Sequence, residues 1–148
     1  MDDETIYRKN RDDLIRYATV LVGPGGAEDV VSTVVLRILA RRRGLDDLDE
    51  PRAYLFRAVL NECKTRLRRR RTHLSITEVG GIPADDPRPH ILQAVLDLPP
   101  QQRAATYLVY WTGLTVAETG DLIGIRPGTV KRYLHLARHT LKGVLDEH

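Results

Sequence analysis

Between Thr115 and Arg138 the sequence runs TVAETGDLIGIRPGTVKRYLHLAR, and this stretch leaves the chain few ways to fold. It opens on Thr-x-x-Glu, Thr115 to Glu118, in which hydroxyl and carboxylate each satisfy an orphan amide at a helix start. Gly124 tolerates the backbone angles of a tight turn. Pro127 suits the first turn of a second helix, where its missing N–H costs nothing. Ile125, Val130 and Leu134 recur as inward anchors, and Gly120 is the small residue that a close helix crossing needs. The pattern is that of a helix-turn-helix, whose second helix enters the major groove of DNA while the first braces it. Its groove-facing residues are expected to be Arg126, Thr129, Lys131, Arg132 and His135. Arginine and lysine suit guanine edges and phosphates, and threonine suits phosphate or the thymine methyl. A helical hairpin that binds protein is the alternative use of the same pattern.

The rest of the chain is also helical by period. In AEDVVSTVVLRILARRR, Val30, Val31, Val34, Val35, Ile38 and Leu39 fall on one face. Glu28 and Asp29 stand at the start and Arg41 to Arg43 at the end, as the helix dipole favours. The outer face then carries Asp29, Ser32, Thr33 and Arg37. A loop, GLDDLDE, leads to Pro51, which opens a helix capped by Asp49 or Glu50. Its buried side is Leu55, Phe56, Val59, Leu60, Cys63 and Leu67. Opposite lies a stripe of Arg57, Asn61, Lys64 and Arg68, interrupted only by Glu62 and running into Arg68 to Arg71. So few acids among so many cations point to nucleic acid rather than to an ordinary solvated face.

Residues 72–89 hold three prolines, two glycines and a net charge of −2, with no helical period. They are expected to be a linker between two small domains, residues 1–71 and 90–148, in an all-α chain. Beyond them come a short helix, HILQAVLDL, and a longer one opened by Pro100 and ended by Gly113. Net charge is only +3 over 148 residues, but Arg126, Lys131, Arg132, Arg138 and Lys142 follow one another without an acid between them. Clustered charge with a low net value suggests one directed anionic partner. The single cysteine rules out an intrachain disulfide and fits a reducing compartment. The polar N-terminus and the lack of a membrane-length apolar run lead to the expectation of a cytoplasmic protein with no membrane insertion. His135 and His139 lie four apart, but no cysteine or glutamate completes a metal site. No catalytic residues and no cofactor are expected.

Taken together, AEDVVSTVVLRIL, EPRAYLFRAVLNECKTRLRRRR and LPPQQRAATYLVYWTGLTVAETGDLIGIRPGTVKRYLHLAR resemble a bacterial RNA polymerase sigma factor of the extracytoplasmic-function kind. The resemblance covers nearly all of Tyr7 to Leu145. It implies a sigma domain 2 helical bundle and a sigma domain 4 helix-turn-helix joined by a flexible linker. It implies that Asp29, Ser32, Thr33 and Arg37 meet the clamp helices of core RNA polymerase. Arg57, Asn61, Lys64 and Arg68 would recognise the −10 element, and the loop Leu45 to Glu50 would help hold a flipped base. The second domain would dock on the polymerase flap and read the −35 element of promoter DNA through Arg126, Gly128, Thr129, Lys131, Arg132 and His135. With no sensor in the chain, regulation would come from an anti-sigma factor or from expression level.

This sequence departs from the family pattern at Ser32, Thr33 and Val35, where a Gln-acid pair and an aromatic are usual. It departs again at Thr119-Gly120, which replaces an apolar-Ala pair and is expected to loosen the brace, and at Arg126, which replaces a capping serine. Two other functions stay open at this point: a sigma mimic that only occupies an anti-sigma factor, and a stand-alone helix-turn-helix regulator.

Overall fold

The computed structural model describes residues 2–41, 44–74, 94 and 97–146. Among them there is helix, turn and loop but no strand. The first helix, α1 (Asp3–Val22), starts where the Asp2 carboxylate accepts the Thr5 amide at 2.8 Å, and ends at Gly23, whose φ of 89° a side chain would resist. α2 spans Ala27–Ala40, a 3₁₀ turn covers Leu45–Asp47, and α3 spans Pro51–Leu74. These three helices pack through Leu14, Leu21, Val30, Val31, Leu55 and Val59, all essentially without solvent contact. Leu45 of the 3₁₀ turn is buried with them.

Two sequence expectations need correction here. Leu39 does not join the buried face of α2: it is 45% exposed, because the helix ends one residue later and the chain turns away. The helix expected to stop at Arg71 continues to Leu74, so the first residues assigned to the linker belong to α3. The remainder of the linker, Arg42-Arg43 and most of HILQAVLDL lie outside the described residues.

The second half begins with α4 (Pro100–Thr106), with proline in its first turn and Tyr107–Trp111 wound as a π turn. The Thr112 amide donates to the Tyr107 carbonyl, and its hydroxyl to the Leu108 carbonyl at 2.9 Å. Gly113 then ends the segment with φ 74°. α5 (Val116–Ile123) carries the expected reciprocal cap: Thr115 Oγ1 accepts the Glu118 amide at 3.0 Å and Glu118 Oε1 accepts the Thr115 amide at 3.1 Å. α6 (Pro127–Asp146) follows after Gly124, which is left-handed.

Gly120 does not loosen the brace. A Cβ there would lie 2.6 Å from the Ile125 carbonyl oxygen, so alanine is excluded by backbone. The Gly120 carbonyl also accepts both the Gly124 and the Ile125 amides, at 2.9 and 3.0 Å. The glycine therefore tightens the turn. Its neighbour Thr119 is fully buried with a hydroxyl that has no partner among the described residues. Thr119→Val keeps the shape and removes that orphan, so it is expected to stabilise the protein by about 1 kcal/mol, read as a raised thermal midpoint.

The two halves do not stand apart. Ala104, Leu108, Leu122 and Ile123 of the second belong to the same buried cluster as Leu14, Tyr17 and Phe56 of the first. Neither half alone has many residues to bury, and a shared core is one way for such small units to cover apolar surface.

Candidate nucleic-acid and polymerase interface

On and just before α6 the structure separates exposed side chains from anchors. Val130 and Leu134 are buried, Ile125 half-buried, and Arg126, Gly128, Lys131, Arg132 and His135 are exposed, with Thr129 partly so. The backbone does what an N-terminal cap requires: the Arg126 carbonyl accepts the Thr129 and Val130 amides at 2.9 and 3.1 Å. No described residue lies within 4 Å of where a Cβ on Gly128 would stand, so this glycine answers to no packing among the described residues. Its bare backbone leaves the positive end of α6 open to a phosphate. Arg138, further along, is already engaged, lying over the Tyr110 ring and donating to its hydroxyl.

On α3 the four expected stripe residues do share a face, but they are not equally available. Asn61 and Arg68 are exposed and Lys64 is half-buried; burial, with Arg68 next to it, holds the Lys64 ammonium below its ordinary value. All three line a cleft of about 1030 Å³ whose other walls are Leu21 to Gly25 and Asp97 to Gln101. Arg57 is exposed too, yet its guanidinium donates to the Asp121 carbonyl of α5 at 2.6 Å. Glu62 does not interrupt the stripe. Its side chain is buried toward α2 and accepts from Arg37 at 2.7 Å and Arg66 at 3.1 Å.

That buried carboxylate organises the outer side of α2. Arg66 also pairs with Asp29 at 2.6 Å and donates to the Thr33 hydroxyl at 3.1 Å. Three of the four residues assigned to polymerase contact, Asp29, Thr33 and Arg37, are therefore held by α3, while Ser32 is exposed. The sequence reading missed the apolar part of this face: Leu36 is 67% exposed and, with Ser32 and Leu39, lies on one line of the helix. The available signal was Leu36 itself, an apolar residue off the buried period. Arg66 was also missed; its four-residue spacing from Glu62 was visible, but not its reach to another helix.

Burial would raise the Glu62 carboxyl, but hydrogen bonds from Arg66 and Arg37 prevail and hold it below the ordinary 4.5. A depressed folded value means stability that is present above the unfolded value and lost as pH falls through the folded one. The wild type is expected to lose stability steeply below about pH 4.5, and Glu62→Gln to flatten that acid limb, as followed by urea midpoints against pH.

In the loop between α2 and α3, Leu45 is buried, Leu48 half-buried, and Asp46, Asp47, Asp49 and Glu50 exposed. The Asp3 carboxylate accepts the Asp46 amide at 3.1 Å and would clash with any Cβ on Gly44. The start of α1 thus fixes the loop's shape.

The comparisons agree with this two-part layout. Residues 6–73 match Sigma-70 region 2, and residues 90–141 match Sigma-70, region 4. The chain is 30% identical to the RNA polymerase sigma-E factor of Streptomyces avermitilis over 99% of its own length and 86% of that protein. It is 31% identical to the ECF RNA polymerase sigma factor SigL of Mycobacterium tuberculosis, over 96% and 88%. Its fold is similar to that of the sigma factor RpoE from Bartonella quintana, crystallised with the anti-sigma factor NepR. The TM-score is 0.70 at 22% identity, covering 97% of this chain and 96% of that one. A helical chain carrying both regions in this order is of the sigma-70 class. The chain belongs to the extracytoplasmic-function family of RNA polymerase sigma factors. No described helix is long and apolar enough to cross a membrane.

Proposed function

We propose that this chain is the promoter-specificity subunit of a bacterial RNA polymerase, acting with the core enzyme in the cytoplasm and performing no chemistry of its own. The observation that carries the proposal is the presence of two separate cationic reading surfaces, on α3 and α6, in the two halves of a sigma-family chain. Arg57, Asn61, Lys64 and Arg68 meet the −10 element, with the loop Leu45 to Glu50 helping to hold a flipped base. Unstacking one base costs a few kcal/mol, which cationic backbone contacts can offset. Arg126, Gly128, Thr129, Lys131, Arg132 and His135 read the −35 element. Asp29, Ser32, Thr33 and Arg37, with Leu36 and Leu39 beside them, form the surface for the polymerase clamp helices, and the second half docks on the flap. The division into residues 1–71, 72–89 and 90–148 belongs to the same proposal, with α3 carried on to Leu74. An anti-sigma factor is the expected regulator.

Purified protein added to core polymerase is expected to yield specific run-off transcripts from promoter-containing DNA. Tight duplex binding without polymerase, and no transcripts, would sink the proposal in favour of a stand-alone regulator. A second function, the sigma mimic, draws on the engagement of Asp29, Thr33 and Arg37 by α3. It requires binding to an anti-sigma factor with no binding to core polymerase.

A further inference from the structure

We infer that the second half carries an interaction surface apart from its DNA-reading residues, built by Tyr110, Trp111, Arg138 and Lys142, and that it takes an acidic amphipathic helix of a partner protein. Trp111 is 79% exposed and Tyr110 beside it 50% exposed. The winding of the chain puts them there. In the π turn the Thr112 amide reaches back five residues to the Tyr107 carbonyl at 3.1 Å, and the Leu114 amide reaches the Leu108 carbonyl at 3.0 Å. Leu108 stays buried, while the last two residues of the turn stand at the surface. Such turns are rare and gather at functional sites.

The charge comes from α6. Arg138 lies over the Tyr110 ring at 5.4 Å and uses its Nε to donate to the Tyr110 hydroxyl. Its two terminal nitrogens have no partner among the described residues. A guanidinium held in this way is a preset fork for a carboxylate. Lys142, one turn further on, is exposed and makes no hydrogen bond or ion pair with the described residues. No acid occurs in the sequence from Leu98 to Ala117 or from Leu122 to Leu145. The segments that build the surface therefore repel no anionic partner.

Duplex DNA is the poorer fit. A reading helix places its N-terminal residues in the groove. Arg138 and Lys142 stand roughly 16 to 23 Å along the helix from Pro127, beyond a groove about 12 Å wide. A phosphate backbone also offers nothing apolar to cover an indole. Tryptophan, tyrosine and arginine are the side chains that dominate contacts between proteins. A helix with an aliphatic stripe and carboxylates at its edge meets both halves of the surface. The stripe covers Trp111, and the carboxylates reach the Arg138 fork and Lys142.

The full chain carries its own reporter, because Trp111 is its only tryptophan. The probe is a synthetic helical peptide of about five turns, with leucine at i, i+3, i+4 and i+7 and glutamate elsewhere. It should shift the Trp111 emission to the blue and saturate. The same peptide with glutamine for glutamate should bind at least about tenfold more weakly, and Arg138→Ala should weaken the acidic peptide as much. Arg138→Lys should recover only part of that loss, since an ammonium has no fork. Anisotropy of a labelled peptide follows Trp111→Ser, which should also bind about tenfold more weakly at an unchanged thermal midpoint, as for other exposed side chains. Its binding to core polymerase should match the wild type. An emission that the acidic peptide does not move overturns the surface, as does a glutamine peptide that binds equally well. A promoter duplex that produces the same blue shift assigns the patch to DNA, and loss of core-polymerase binding in Trp111→Ser assigns it to the polymerase; either overturns a separate partner. If the wild type never binds core polymerase while the peptide shift holds, the sigma function fails and the surface stands.

Discussion

Arg103→Met is expected to lower stability by about 3 kcal/mol, seen as a large drop in the urea midpoint. Arg103 is 5% exposed, and burial holds its guanidinium below the ordinary arginine value. A charge so placed must return its desolvation cost in bonds. It does so by satisfying the Leu21 and Leu98 carbonyls, with a longer contact to Val20 at 3.4 Å. The last turn of α1 has no basic residue of its own, so its negative end is met by cations from elsewhere: Arg103 of the other half, and Arg70 of α3, which donates to the Val22 carbonyl at 3.2 Å. Methionine matches much of the side-chain volume but leaves those carbonyls without their donor, at about 1–3 kcal/mol for each buried group. Arg103→Lys separates charge from geometry. A single ammonium keeps the attraction to α1 but lacks the planar fork that reaches Leu21 and Leu98 together, so it should recover less than half of the loss. Full recovery by lysine would show that charge alone matters.

Arg103 also marks what a sequence can and cannot disclose. The helices themselves were legible, because their periods and caps are local: Thr115 and Glu118 form the cap their spacing implies, and Gly124 takes the left-handed turn. The inward faces of α3 and α6 followed from the same logic, down to Cys63, which is buried with its thiol pushed up to about 12 mainly by burial. What failed involved another segment of chain. Nothing beside Glu62 says that it turns inward to Arg37 rather than sitting in the cationic stripe. Nothing beside Gly120 says that the Ile125 carbonyl passes 2.6 Å from its missing Cβ. A glycine judged by propensity alone looks like a loss of about 1 kcal/mol, whereas steric need at the crossing outweighs it. The docking of α5 on α3 is a long-range contact of the same kind. It explains why Arg57, read from its own helix as a DNA contact, is found on the Asp121 carbonyl.

Substituting both Lys131 and Arg132 by alanine is expected to weaken −35-dependent promoter binding by about 100-fold or more while leaving the fold intact. The reasoning starts from what these side chains do not do. Both are exposed, and neither makes a hydrogen bond or ion pair with the described residues, so their removal should change stability by less than about 0.5 kcal/mol. A cation fixed on the outer face of the helix proposed to read the groove, and unused by the described residues, is available to DNA. A guanine-edge contact is worth about 1–3 kcal/mol, and a phosphate contact adds about one unit to the salt slope. Single variants should therefore differ in kind. The one whose loss relaxes preference at a single −35 position touches a base; the one whose loss weakens all promoters equally and flattens the salt dependence touches phosphate. Arg138→Ala is the matched control, since that guanidinium is already held by Tyr110, and it should cost far less promoter affinity. Band-shift and run-off titrations of the holoenzyme on promoters with intact and scrambled −35 elements give both readouts. Unchanged discrimination between those promoters in the double variant would remove α6 as the reading helix.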